Sequence, residues 1–137
     1  MNPDFKACLE KKKIIPFSKG KSLVNKELRT ASEDLEDGKF GLSHGKYKWS
    51  TIQGYYSMFH TARALLYSQG YREKSHYCLS LALIALSVEK KKLEIEYVEN
   101  FQNAMTLREN ADYRTRFSKS GAEIVLKKAE EFINRAK

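Results

Sequence analysis

The side chains best suited to proton transfer or anion binding in this chain are few. Histidine occurs only at His44, His60 and His76. The most informative stretch for chemistry covers residues 98–113. There Val98, Phe101 and Met105 form an apolar stripe at helical spacing, and Arg108 and Asp112 occupy the next positions along it. Charged residues that prolong a core-facing stripe either form a buried pair or line a cavity at the end of a bundle. Their four-residue step lets a guanidinium and a carboxylate meet on one face. Tyr113 follows directly, and Arg114 and Arg116 add positive charge beside it. An Arg108–Asp112 clamp that only holds structure is the plain reading. An anion-binding cleft lined by Arg108, Asp112 and Tyr113 is the functional one.

The histidines differ in promise. Ser75 precedes an apolar run and is placed to cap a helix, which puts His76 in the first turn. In that position the helix dipole lowers an imidazole's pKa and backbone N–H groups favour an anion. His60 lies with Gln53 and Arg63 in a helix that is otherwise nearly all apolar, so these groups need partners or a cleft. His44 falls in a glycine-containing stretch with Lys46 and reads as surface. The cysteines, Cys8 and Cys78, are too few for a disulfide framework and lack metal-ligand spacing. No glycine-rich phosphate loop and no Ser/His/Asp motif occur, and no metal or cofactor is expected.

These residues must be positioned by helices. Over 49–66, Trp49, Ile52, Tyr56, Phe59, Arg63 and Leu66 share one face, and Tyr55, Met58, Ala62 and Leu65 widen it almost to the whole circumference. Such a helix belongs at the centre of a bundle. Before it, Asn2-Pro3 signals a helix start, and Pro16 requires that first helix to end by Ile15. A second helix opens near Gly20, with Val24, Leu28, Ala31 and Leu35 as its stripe, and Gly38, Gly41 and Gly45 mark a loop after it. Gly70 caps the central helix, and Tyr71-Arg72-Glu73-Lys74 is a linker. Ser120-Gly121-Ala122-Glu123 is a capping-box start for the last helix, whose stripe is Ala122, Val125, Ala129, Phe132 and Ala136. The expected fold is all-α: one domain over 1–137, an up-and-down bundle of five or six helices.

Composition narrows the class. Two prolines and seven glycines in 137 residues leave helix as the default. No long apolar run and no signal-peptide segment is present, so a soluble, cytoplasmic protein without membrane association is expected. The net charge of +8, from 25 basic and 17 acidic residues, suits an anionic partner such as RNA or a nucleotide, and equally suits a basic solvated surface.

The run Lys48-Trp49-Ser50-Thr51, followed by Gly54-Tyr55-Tyr56-Ser57-Met58-Phe59-His60-Thr61-Ala62-Arg63-Ala64-Leu65-Leu66, resembles the central helix of small prokaryotic HEPN-domain proteins. The order that follows is also similar: Gly70, Ser75-His76, then Arg108 with Ala111-Asp112-Tyr113. The resemblance implies a helical bundle that dimerises and is linked to nucleotides or RNA. It also implies a minimal nucleotidyltransferase as partner, in some cases as a toxin–antitoxin pair. Ribonuclease members carry an arginine, a short spacer and then a histidine. Here Arg108 matches the arginine, but Tyr113 stands where the histidine would fall. Tyrosine, with a pKa of about 10, is a poor proton carrier at neutral pH.

Three functional expectations follow from these residues and the resemblance. The first is a homodimeric binding module for a nucleotide or RNA, using Arg108, Asp112, Tyr113, His60 and Arg63, and acting with a nucleotidyltransferase. The second is a metal-independent endoribonuclease in which His76 or His60 replaces the missing histidine beside Arg108. The third is a purely structural interaction partner. A histidine close to Arg108 favours catalysis, an arginine without imidazole favours binding, and a filled core around Arg108 favours the structural role.

Overall fold

A computed structural model describes all of residues 1–137. The longest apolar helix, α3 (Tyr47–Ser68), lies at the centre and touches α2 (Gly20–Ser43), α4 (His76–Leu83), α5 (Ile95–Tyr113) and α6 (Lys119–Ala136). Its interior positions include Tyr55, Met58, Phe59, Ala62 and Leu66, as a helix apolar almost all round requires. Four small hydroxyls are buried with them and are all satisfied. Ser50, Thr51 and Thr61 each donate to the carbonyl four residues back, and Ser57 Oγ donates across to Ala31 O of α2 at 2.8 Å. The fold is therefore the expected all-α bundle, with six α-helices once the short α1 (Pro3–Glu10) is included.

Gly38 and Gly41 do not open a loop. α2 continues through both to Ser43, and only the turn around Gly45 separates it from α3. Close packing explains the first of these glycines. A Cβ on Gly38 would lie 2.5 Å from Leu126 Cδ2, and one on Gly54 would lie 2.7 Å from Val125 Cγ1. Both glycines leave room for α6 side chains packed against α2 and α3, and a side chain at Gly38 would require Leu126 to move.

Trp49 is not on the buried face. It is 55% exposed in the first turn of α3, and Lys48 Nζ sits 5.0 Å from its ring centroid. The segment read as a linker forms a strand, β2 (Tyr71–Glu73), paired antiparallel with β1 (Ile14–Pro16). Strands of three residues leave no alternation to detect in sequence. The last helix begins earlier than the capping-box reading placed it. Ser118 is its cap and accepts from Gly121 N at 3.0 Å, ahead of Ser120.

The two cysteines form no framework, but they are joined to each other. A Cys8–Cys78 disulfide ties α1 to the first turn of α4, with Cα atoms 5.9 Å apart and a sequence separation of 70. Closing a loop of that length contributes about 2–4 kcal/mol. After α4 the chain widens into a π-helical turn, Ile84–Val88. No helix is long and apolar enough to cross a membrane.

Candidate functional site

Arg108 reaches from α5 toward α3 and settles among aromatic rings. Its guanidinium carbon lies 5.8 Å from the centroid of Tyr55, 5.4 Å from Tyr56 and 5.4 Å from Tyr113. At these separations the cation is attracted to each ring face. Nη2 donates to Tyr56 Oη at 3.0 Å and stands 3.4 Å from Asp112 Oδ2. Nε is buried without a hydrogen-bond partner. The Arg108 side chain is 16% exposed and that of Asp112 32%, so the pair forms neither a buried clamp nor an open surface contact. Tyr113, 70% exposed, forms the outer wall.

His76 belongs to the same cluster. Its ring lies 4.3 Å from that of Phe59, 5.9 Å from Tyr55 and 6.4 Å from Tyr56. Two elements place it there: Ser75 caps α4 by accepting from Cys78 N at 3.2 Å, and Tyr55 Oη lies 2.5 Å from His76 Nδ1. Tyr55 is fully buried, and burial pushes its phenol well above the ordinary range, so it keeps its proton. Burial lowers the His76 pKa, helped by the Arg108 and Arg63 charges and opposed by Glu73. The neutral imidazole accepts from Tyr55 O–H at Nδ1 and carries its own proton on Nε2. His76 and Arg108 thus flank one tyrosine pair, with a proton donor on one side and a fixed cation on the other.

The lowered His76 pKa has a consequence for stability. As pH falls through 6.5, the unfolded chain protonates at this position before the folded chain does. The protein should lose stability as pH falls below the unfolded value and until the depressed folded value is passed, and His76→Gln should flatten that part of the profile. Melting curves of both proteins across the window provide the check.

His60 and Arg63 are engaged elsewhere. His60 Nδ1 donates to Glu27 Oε2 at 2.6 Å, with Nε2 3.7 Å from Asp34 Oδ2. Burial raises the Glu27 pKa, but the His60 hydrogen bond and the His60, Arg63 and Lys26 charges outweigh it and hold the carboxyl below its usual range. Asp34 is pushed up, mainly by burial. Arg63 donates to Glu73 through Nη2 at 2.6 Å and Nε at 3.2 Å, and packs 4.5 Å from the Phe59 ring. Phe59 therefore stands between this ionic network and the His76 ring. His44 is exposed, with Nδ1 2.9 Å from Phe40 O.

The structure thus brings Arg108, Asp112, Tyr113 and His76 together and sets His60 and Arg63 one aromatic layer away. The sequence reading treated Tyr55 and Tyr56 as core and overlooked them as site residues. Two adjacent phenols in a buried helix were the available signal, because each O–H needs a partner. Glu27 and Glu73 were also overlooked. The one cavity, about 710 Å³, lies elsewhere, between α1 and the π-helical turn, lined by Phe5, Tyr71, Leu86 and Glu89 among others. No group of three or more His, Cys, Asp or Glu is arranged to hold a metal ion.

Comparison with known proteins gives concordant matches. Residues 24–137 match the family model described as HEPN domain, so the match begins after α1 and β1. A Methanocaldococcus jannaschii protein named "Putative toxin" is 29% identical over 126 residues, covering 85% of this chain and 94% of its own length. An Archaeoglobus fulgidus UPF0332 protein is 33% identical over 112 residues, covering 80% of this chain and 89% of its own. A second M. jannaschii protein with the same toxin name is 29% identical over 109 residues, covering 78% and 70%.

Proposed function

We propose, from the premise that the chain belongs to the HEPN domain family, that it is a toxin-type HEPN protein that binds a nucleotide or RNA phosphate on Arg108. The observation that carries this reading is the state of Arg108. Its charge is held in place by three tyrosine rings, and its nearest carboxylate, at 3.4 Å, neutralises it only loosely. A cation fixed in this way and left short of a close counter-ion is pre-organised for an incoming anion. Asp112 and Tyr56 orient the guanidinium, and Tyr113 offers a face on which a base can lie. In this reading His60 and Arg63 brace α3 from behind. The relatives that carry toxin names support the toxin-type assignment.

The protein acts as a homodimer in this proposal, because one copy leaves the Arg108 site as a wall without an opposite side. A minimal nucleotidyltransferase is the proposed partner. Binding should be weak and salt-dependent, falling steeply between low and physiological salt as phosphate contacts release counterions. Arg108→Ala should abolish most of it, while Asp112→Ala should change thermal stability little because that carboxylate is part-exposed. Nucleotide and RNA titrations at two salt concentrations, with sedimentation to read the oligomeric state, test the proposal. Unchanged binding in Arg108→Ala, or a monomer at micromolar concentration, contradicts it.

A second reading is favoured by the position of His76. A histidine beside Arg108 is what a metal-independent endoribonuclease needs, and the shared tyrosine pair supplies that closeness. In that mechanism the ribose 2′-hydroxyl attacks the adjacent phosphorus and gives its proton to water, and the P–O5′ bond breaks. The leaving 5′ oxygen takes a proton from the Nε2 of a His76 that has first been protonated, while Arg108 holds the phosphate.

A further inference from the structure

The connection from α5 to α6 alternates aromatic and basic side chains. Tyr113, Arg114, Arg116, Phe117 and Lys119 are all exposed. Exposed rings and cations in a loop ordinarily signify little, but this loop is held in a fixed shape. Arg114 N and Arg116 N both donate to Asn110 O, at 3.2 and 2.8 Å, and Arg114 Nη1 donates to Asn110 Oδ1 at 3.0 Å. Ser118 anchors the other end as the cap of α6. Between them Thr115 has φ of 52°, in the left-handed region that a β-branched residue rarely occupies. Strain of this kind persists only where surrounding structure imposes it, and it gathers at functional positions.

The chemistry of the surface selects its occupant. Arg114, Arg116 and Lys119 form no salt bridge, and Arg114 has only the neutral Asn110 amide as a partner. An apolar protein face laid over Tyr113 and Phe117 would strand these cations, and the cores of protein interfaces are depleted of charge for that reason. Duplex nucleic acid offers phosphates but keeps its base faces stacked inside. A single strand offers both phosphates for the cations and free base faces for the rings. The platform also continues directly into the site already described, since Arg108 lies 5.4 Å from the Tyr113 ring.

We propose that the 113–119 connection is a stacking platform for single-stranded nucleic acid, with Phe117 and Tyr113 receiving bases while Arg114, Arg116 and Lys119 receive phosphates. This rests on the reading that the protein binds nucleic acid at Arg108, and it names the form of that ligand. The test measures anisotropy of a labelled oligouridylate of about 15 nucleotides against a duplex of equal length, with polyglutamate as an acidic competitor. Phe117→Ala should weaken the single strand about tenfold or more, leave duplex binding unchanged, and leave the salt slope unchanged. Phe117 touches neither Arg108 nor His76. A second variant, Phe117→Trp with Trp49→Phe, should keep its affinity and show tryptophan quenching on single-strand binding.

Equal losses on single strand and duplex, no loss at all, absence of quenching, or displacement of the RNA by polyglutamate at matched charge would each overturn the platform. If Arg108→Ala removes binding and Phe117→Ala does not alter it, the Arg108 reading stands and the platform falls. If the reverse holds, the platform stands and the Arg108 reading falls. A wild-type protein that binds no oligouridylate removes both.

Discussion

Purified protein should leave labelled RNA intact in EDTA, and Tyr113→His should begin to cut it. The family resemblance implies a histidine at this position in ribonuclease members, and the Tyr113 ring lies 5.4 Å from the Arg108 guanidinium carbon. An imidazole there would be well exposed and placed to exchange a proton with the reacting ribose. A positioned acid or base contributes about 10²–10⁴-fold in rate. Tyr113→His should therefore exceed wild type by a factor of that order, and Tyr113→His with Arg108→Ala should fall back. The outcome that decides for the second reading is equally clear. If wild type cleaves and His76→Ala abolishes cleavage, His76 is the replacement catalyst and the binding-only reading is wrong. Tyr55→Phe then becomes informative, because it removes the hydrogen bond that fixes the imidazole while leaving the ring stacking in place.

Arg63→Ala should destabilise the protein by about 3–5 kcal/mol, the loss expected when one partner of a buried ion pair is removed. Glu73 is only 5% exposed, and Arg63 is its close cation, at 2.6 Å. Removing the guanidinium strands that carboxylate inside the junction of α3 and β2, and also takes a charge from beside Glu27 at 3.8 Å. Replacing both partners with apolar residues, Arg63→Met with Glu73→Leu, should recover most of the loss, since no uncompensated charge is left. Denaturant unfolding of Arg63→Met, Glu73→Leu and the double variant gives the cycle, with Arg63→Ala measured beside them. If Arg63→Ala loses less than about 1 kcal/mol, the pair is solvated and the network braces nothing.

Much of the fold was legible because its signals are local and repeated. The apolar circumference of residues 49–66 placed that helix at the centre, the stripe of Ala122, Val125, Ala129 and Phe132 described α6 correctly, and Ser75 was read as a cap, as it is. The HEPN resemblance drawn from Tyr55 to Leu66 and from Arg108 to Tyr113 agrees with the family match. The departures share a cause. Gly38 was read as a breaker because sequence cannot show that Leu126, distant along the chain, needs the space its missing Cβ leaves. β1 and β2 are too short for periodicity, and the partner of each lies more than fifty residues away.

The same division holds at the site. Periodicity by itself determined that Arg108 and Asp112 share a helical face, because the α-helix converts spacing directly into geometry, while the family resemblance implied that Tyr113 stands where a histidine would fall. Only the tertiary structure decided which histidine comes near. His60, on the central helix with the aromatic residues, turns to Glu27 and Asp34 of α2, while His76 is carried onto Tyr55 by the packing of α4 against α3. An imidazole goes where a partner is within about 3 Å, and such distances between separate helices depend on packing that no single segment encodes.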